Sequence, residues 1–357
     1  IKMRWTVSRS RVAEGFGHAI ARYGVRVRTL VAFLSLEALI ANFYIIITRS
    51  LTPILLVSVG FSIRDILLLN IVAYGAALVI AYYLHEHTDI LKSSVKPKLL
   101  AVHSLERVLW GLIPLTAILA PEFIYINYVA AVALTIPTSS LMSTVIFTRL
   151  SYSELRKLLS RRGALGAVSN VIGQVTAVIV LMSTTAVSKY IYLYLIAMSV
   201  GLASTLVIAL TPIPARVSEY SETKPQVIEE ASIKVVNVFL FLSSLLASGA
   251  IIGAVWGPYI MKYLKAPDYL AASLGLVQTM SVMGSSIFWG GRPYSTYKLA
   301  ILANSLVPLL IVLAPRPELH LVVAALYAFS YTGSNFLASL IYGEVSKNFD
   351  VGKTATM

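Results

Sequence analysis

Apolar runs of about twenty residues recur along the whole chain, and no other feature limits its fold as strongly. They lie at 29–48, 66–84, 99–120, 123–148, 163–187, 190–210, 235–260, 270–291, 297–315 and 318–343. At a rise of about 1.5 Å per residue, each can cross a hydrocarbon core roughly 30 Å thick. Lipid offers no hydrogen bonds, so each run must satisfy its own backbone. The runs are too long for barrel strands, which predicts an all-α, polytopic transmembrane helical bundle. Composition closes the soluble alternative. Of 357 residues, 57% are hydrophobic and only 13% are charged, against about a quarter charged in soluble domains. The chain has too few charges to clothe a soluble core.

Lys and Arg number 29 against 16 Asp and Glu, and they sit mainly in short segments between the runs. With the N-terminus in the cytoplasm, inside segments hold 22 basic residues. Outside segments hold six: Arg49, Arg64, Lys189, Lys262, Lys265 and Arg316. Arg107 falls within the third run. This asymmetry predicts a multi-pass protein of the cell membrane with a cytoplasmic N-terminus. The partner it implies is anionic lipid rather than nucleic acid. The absence of cysteine excludes disulfides, thiolate metal sites and cysteine nucleophiles. Residues 1–28 are basic and interrupted by Gly15, Gly17 and Gly24, which is not the pattern of a signal peptide. They are expected to form a cytoplasmic segment, either a plain tail or, with Trp5, Phe16 and Tyr23 among the arginines, a surface-lying one.

The hydrophilic stretch 211–234 has three prolines, mixed charge and no apolar period, so it reads as a cytoplasmic linker. It divides a six-span bundle at 29–210 from a four-span remainder at 235–357. The two parts show internal similarity. Under a shift of 205, Pro53 meets Pro258, and each is followed by a short turn. Under a shift of 195, Ser139 meets Ser334, Ile146 meets Ile341 and Ser151 meets Ser346. Matches in order around a central linker point to a duplication. They predict that the complete protein has twelve spans, the last two being absent from this sequence.

Local stretches carry a resemblance. TPILLVSVGFSIRDILLLNIVAYGAALVIAYYL has a Gly-x-Ser turn and an acidic residue opening the next helix, at Gly60, Ser62 and Asp65. RLSYSELRKLLSRRGALGAVSNVIGQ is a basic loop leading into a helix of small residues, and GSSIFWGGRPYSTYKLAI carries Gly290, Gly291 and Arg292. With six spans, a linker and a related second set, the chain resembles the major facilitator superfamily. HEHTDILKSSVKPKLL, between the second and third spans, has Asp89 and Lys96 but lacks that family's glycines. The resemblance implies two bundles rocking about a central cavity that opens to each side in turn.

Charges inside lipid are functional suspects. Glu37 lies nine residues past Arg28, about 13 Å into the bilayer. It is read either as a proton-coupling or solute-contacting acid, or as an acid bonded to a neighbouring helix. Arg107 lies nine residues past Lys98 and shares that depth. An ion pair between Arg107 and Glu37 is expected to lower the cost of both, and Glu106 is expected to find His103 three residues away. Uncharged candidates for solute contact are Asn42, Asn170, Gln174, Trp256, Gln278, Tyr327, Tyr331 and Asn335, with Asn70, Tyr74 and Tyr259 also polar within spans. Aromatic rings with amides suit an uncharged or amphipathic organic ligand, although such residues also serve as interhelical hydrogen bonds. Gly249, Gly253 and Gly257 form a small-residue stripe for close helix approach. Gly257 with Pro258 should bend or end its helix as a gate hinge. His85, Glu86, His87 and Asp89 sit at a helix end where such residues are ordinary, and no metal site is assigned to them. No cofactor motif, catalytic triad or carboxylate pair is present, so no enzyme activity is expected. The reading is a secondary transporter of a small organic solute, with Glu37 as the candidate for coupling to protons. The alternative is a transporter-fold subunit or scaffold that moves nothing.

Overall fold

The computed structural model describes residues 9–150, 152–213, 235–290 and 292–346. The segment 214–234, which carries most of the expected linker, and the C-terminal GKTATM lie outside the described residues, as do residues 1–8. Among those described, all ten apolar runs are helices. They are α1 (Arg9–Ser58), α2 (Ile63–Glu86), α4 (Val95–Leu119), α5 (Ile124–Arg149), α6 (Tyr152–Ser183), α7 (Lys189–Leu210), α8 (Val235–Tyr263), α9 (Asp268–Trp289), α10 (Tyr297–Leu313) and α11 (Leu319–Ser346). A single turn, α3 (Asp89–Lys92), bridges α2 and α4. Nine have the length and hydropathy of membrane spans; α10 has 17 residues, about 25 Å of rise. This is a polytopic helical membrane bundle. Its exterior confirms the solvent it was built for. Ile71, Leu78 and Val79 of α2, Leu206 and Leu210 of α7, Ile287 of α9 and Val312 of α10 are all exposed. In water such a surface would aggregate; in lipid it is the ordinary lining.

The ends differ from expectation in one place that matters. The first span does not stop at 48 but runs to Ser58, with Pro53 inside it. Arg49 is therefore within the helix and not in an outer loop. Lipid explains the continuation, because leaving the helix would expose unpaired backbone, so proline is tolerated inside spanning helices. At the other end α1 begins at Arg9, so Gly15, Gly17 and Gly24 lower helix propensity without breaking the helix. The following turn uses the residues singled out by motif. Gly60 takes φ +103°, a region open to glycine. Ser62 then caps α2: its Oγ accepts from the Asp65 backbone N–H at 3.1 Å, and the Asp65 carboxylate accepts from the Ser62 N–H at 2.9 Å.

Helices α1, α2 and α4–α7 pack together, chiefly α1 on α6 and α7, α4 on α5 and α7, and α2 on α5. Helix α11 packs on α9 and α10. Between the two groups run α6 against α9 and α8 against α1 and α2. Close approach depends on missing side chains. A Cβ at Gly201 would meet the Tyr44 ring at 2.8 Å, and one at Gly111 would meet the Met198 Cβ at 2.7 Å. Met198 has no room to retreat at its root, so Gly111→Ala is expected to push α4 from α7. The expected cost is about 1–3 kcal/mol, read as a lower melting temperature in detergent; an unchanged melting temperature would show that the seam yields freely.

Candidate functional site

A cavity of about 390 Å³ lies where the two helix groups meet. One wall is Arg49, Pro53 and Ile54 of α1, Asn70 and Tyr74 of α2, Trp110 of α4, Tyr128 and Thr135 of α5, and Gln174 of α6. The other is Gly249, Gly253, Trp256, Gly257 and Pro258 of α8, Gly275 and Gln278 of α9, and Tyr327 of α11. The volume falls in the range of small-molecule pockets.

Its walls are fixed from below by hydrogen bonds. Tyr128 donates its hydroxyl to Asn70 Oδ1 at 2.9 Å, joining α5 to α2. Trp256 donates its indole N–H to His320 Nδ1 at 2.9 Å and meets the Tyr327 ring edge-on at 5.9 Å, joining α8 to α11. Tyr327 stacks on Tyr331, ring centres 5.3 Å apart. Gly275 makes room for the Gln174 amide across the seam of α6 and α9, because a Cβ there would overlap it.

Of the residues nominated from sequence, Gln174, Trp256, Gln278, Tyr327, Gly249, Gly253, Gly257 and Pro258 line the cavity; Glu37, Asn42, Arg107, Asn170, Tyr331 and Asn335 do not. Asn42 donates to the Ala38 carbonyl in its own helix and faces Gly166. Tyr331 packs its hydroxyl against Gly249. The glycine stripe divides its work. Gly257 admits Ile54 of α1 and Gly249 admits Tyr331, while Gly253 has open space beside it. Pro258 does not end α8, which continues to Tyr263. Sequence reasoning passed over Arg49, Trp110 and Tyr128. Arg49 was placed in a loop, although the apolar LTPILLVSV after it shows that the helix continues. Trp110 lies three and four residues from Arg107 and Glu106, on the face they share.

Beneath the cavity wall the buried charges form one network, and it differs from the expected pairing. Glu37 does not pair with Arg107. Its Oε2 accepts from Arg162 of α6 at 2.7 Å, and its Oε1 lies 3.8 Å from His103 Nε2. Arg162 also donates to the Leu34 carbonyl at 2.6 Å. Arg107 instead donates to Glu106 and, at 2.9 Å, to His103 Nε2, with its guanidinium 4.6 Å from the centre of the Tyr44 ring. A guanidinium can only donate, so Nε2 of His103 accepts and Nδ1 carries the proton shared with Thr205 at 2.7 Å. Glu106 does not turn to His103. It is fully buried between Arg107 and Arg49, whose Nη2 donates to it at 2.9 Å. Arg49, one-third exposed, is the member of the network that also faces the cavity.

On the side where α1 ends, the two groups are tied. Asp268 at the start of α9 accepts from Lys189 Nζ at 2.6 Å and from the Tyr190 hydroxyl at 2.9 Å, both at the start of α7. Tyr190 in turn meets Ser58 of α1 at 3.1 Å.

The same arrangement of helices occurs in solved transporters. The nucleoside transporter NupG superimposes with a TM-score of 0.62 at 14% identity, covering 92% of this chain and 85% of that one. A bacterial homologue of the human lysosomal transporter Spinster, inward-facing and unoccupied, gives 0.59 at 14% identity over 93% and 79%. FucP, a major facilitator superfamily transporter in the outward conformation, gives 0.51 at 13% identity over 94% and 95%. The fold is that of the major facilitator superfamily. No protein-family model and no curated protein sequence matches the chain, so the likeness lies in the path of the backbone, at sequence identities that carry no substrate. The cavity sits at the seam between the two helix groups.

Proposed function

We propose that the protein is a secondary transporter that moves a small organic solute across a membrane by alternating access, with its N-terminus in the cytoplasm. The carrying observation is the cavity itself, walled by both helix groups and lined by aromatic rings, amides and one arginine. A scaffold would do better with that seam filled by bulky side chains; here Gly253 has open space beside it. Direct contact between Glu37 and solute loses its support, because Glu37 lies outside the cavity and is engaged by Arg162. Coupling to protons stays with the Glu37–His103–Arg162 cluster as part of the proposal.

The test exploits the absence of native cysteine. Gly253→Cys places one thiol in the cavity where nothing lies within 4 Å. In proteoliposomes loaded with mixed organic solutes, a membrane-impermeant thiol reagent is expected to reach this position from either face, and complete labelling is expected to abolish counterflow. An imposed pH gradient should drive net uptake in the wild type and not in Glu37→Gln if the coupling is right. Counterflow undiminished by full labelling would remove the cavity as the pathway.

A further inference from the structure

Three guanidinium groups, Arg49, Arg107 and Arg162, share two buried carboxylates, Glu37 and Glu106. The remaining buried cation of the seam, Lys189, has Asp268 to itself. Among the described residues the network beneath the cavity therefore carries one positive charge in excess, inside a medium where an uncompensated charge is costly. Arg49 is its outlet: among the described residues no Asp or Glu lines the cavity, and Arg49 is the one charged residue that does. A second observation agrees. Three side-chain N–H donors of cavity residues have no partner among the described residues: Arg49 Nε, Trp110 Nε1 and Gln174 Nε2. Each is buried as an atom, and among the described residues no buried, unpartnered side-chain acceptor belongs to a cavity residue. A wall with unpartnered donors and one positive charge in excess is matched by a ligand that brings acceptors and a negative charge.

We infer that this cavity binds an organic anion, its carboxylate or phosphate monoester group seated on Arg49 and its apolar body against Trp110, Trp256 and Tyr327. The guanidinium has five donors. The bond to Glu106 uses Nη2 alone, and the side chain is one-third exposed and lines the cavity, so its remaining N–H groups can serve a second oxyanion without breaking the first pair. The inference rests on the transporter reading for the site's purpose, but the binding preference stands or falls without it.

The full chain in detergent is titrated with benzoate, phenylacetate and phenyl phosphate, and with benzamide, phenylacetamide and benzyl alcohol as uncharged counterparts. Binding is followed by the fluorescence of the cavity tryptophans. At least one acid is expected to bind about tenfold or more tighter than its uncharged counterpart, and the advantage should shrink as salt rises. Comparing the carboxylates with phenyl phosphate tells which oxyanion the site takes. Arg49→Gln should erase the preference, and Arg49→Lys should keep part of it. If Arg49→Gln fails to fold, Trp110→Phe keeps an aromatic ring, though a smaller one, and removes one donor, and should weaken the acid more than the amide. Equal binding of acid and amide, or binding of none of the acids, would overturn the inference; so would a preference that survives Arg49→Gln. Anion binding without uptake in proteoliposomes would keep the anion site and overturn the transporter reading. Uptake of uncharged solutes with no anion preference would do the reverse.

Discussion

Glu106→Gln is expected to be the most destabilising single substitution in the chain. Glu106 has no exposed surface and holds two arginines from two helices, Arg49 of α1 and Arg107 beside it on α4. Its backbone carbonyl also takes the Tyr44 hydroxyl at 3.3 Å. Glutamine keeps the volume and one acceptor oxygen but removes the charge, leaving Arg107 buried with no anion opposite, only neutral acceptors such as the His103 ring nitrogen. Removing one partner of a buried pair costs about 3–5 kcal/mol, because the survivor stays desolvated. That corresponds to a melting temperature lower by roughly 5–10 °C in detergent, or to loss of folded protein on expression. The origin of the cost is tested by a second change. Glu106→Gln with Arg107→Met removes the orphaned charge, and Arg49 can still reach the open cavity. The double variant should regain most of the lost stability. If the single variant melts with the wild type, Glu106 is not the anchor that its burial implies. If the double variant is no better than the single, the loss comes from something other than an unpaired guanidinium.

That network also shows where reading the sequence stops. The spans were legible because lipid leaves a backbone few choices, and long apolar runs translate directly into helices. Counting residues from Arg28 and Lys98 puts Glu37 and Arg107 at one level, but Glu37 meets His103 and Arg162, and the Arg107 guanidinium lies over Tyr44, seven residues further along α1. Direction around the helix axis was not legible. Glu37 turns to Arg162, 125 residues away in sequence, because α6 packs on α1. Arg162 lies just before the apolar run at 163–187, so spacing leaves it in a loop, yet it is within α6 and its long side chain reaches the Leu34 carbonyl of α1. The cavity was legible in part for a similar reason. Polarity inside an apolar run nominated Gln174, Gln278 and Tyr327, which line the cavity, and by the same criterion nominated Asn42 and Asn170, which lie elsewhere. Polarity marks a side chain that needs a partner. Whether the partner is a neighbouring helix or a solute depends on packing that spacing alone does not encode. Arg49 was lost to a boundary error: ending the first span at 48 moved the one cavity charge into a loop.

Breaking the tie at the far end of the seam should change which side of the membrane the cavity faces. Lys189 is almost fully buried, and its ammonium is held by Asp268 at 2.6 Å and by the Leu181 and Thr184 carbonyls at 3.1 and 2.9 Å. The carbonyls belong to the same helix group as Lys189; only Asp268 belongs to the other. With Tyr190, the pair supplies the hydrogen bonds that join α7 to α9 there. A conformation open on that side must separate them, so the pair stabilises the closed one by its full interaction. A variant that lacks it loses that preference and gains nothing in the open form. A change of about 1.4 kcal/mol shifts a two-state population tenfold, and a buried pair is worth at least that when one partner is removed. Asp268→Asn in the Gly253→Cys background is therefore expected to raise the labelling rate from the Lys189 side about tenfold or more, and to lower it from the opposite side. Tyr190→Phe, which removes one neutral hydrogen bond, should act in the same direction and more weakly. Equal labelling rates from both sides in Asp268→Asn and its parent would mean that the tie holds the bundle together without choosing its state, and that closure lies with the apolar contact of Gly257 on Ile54.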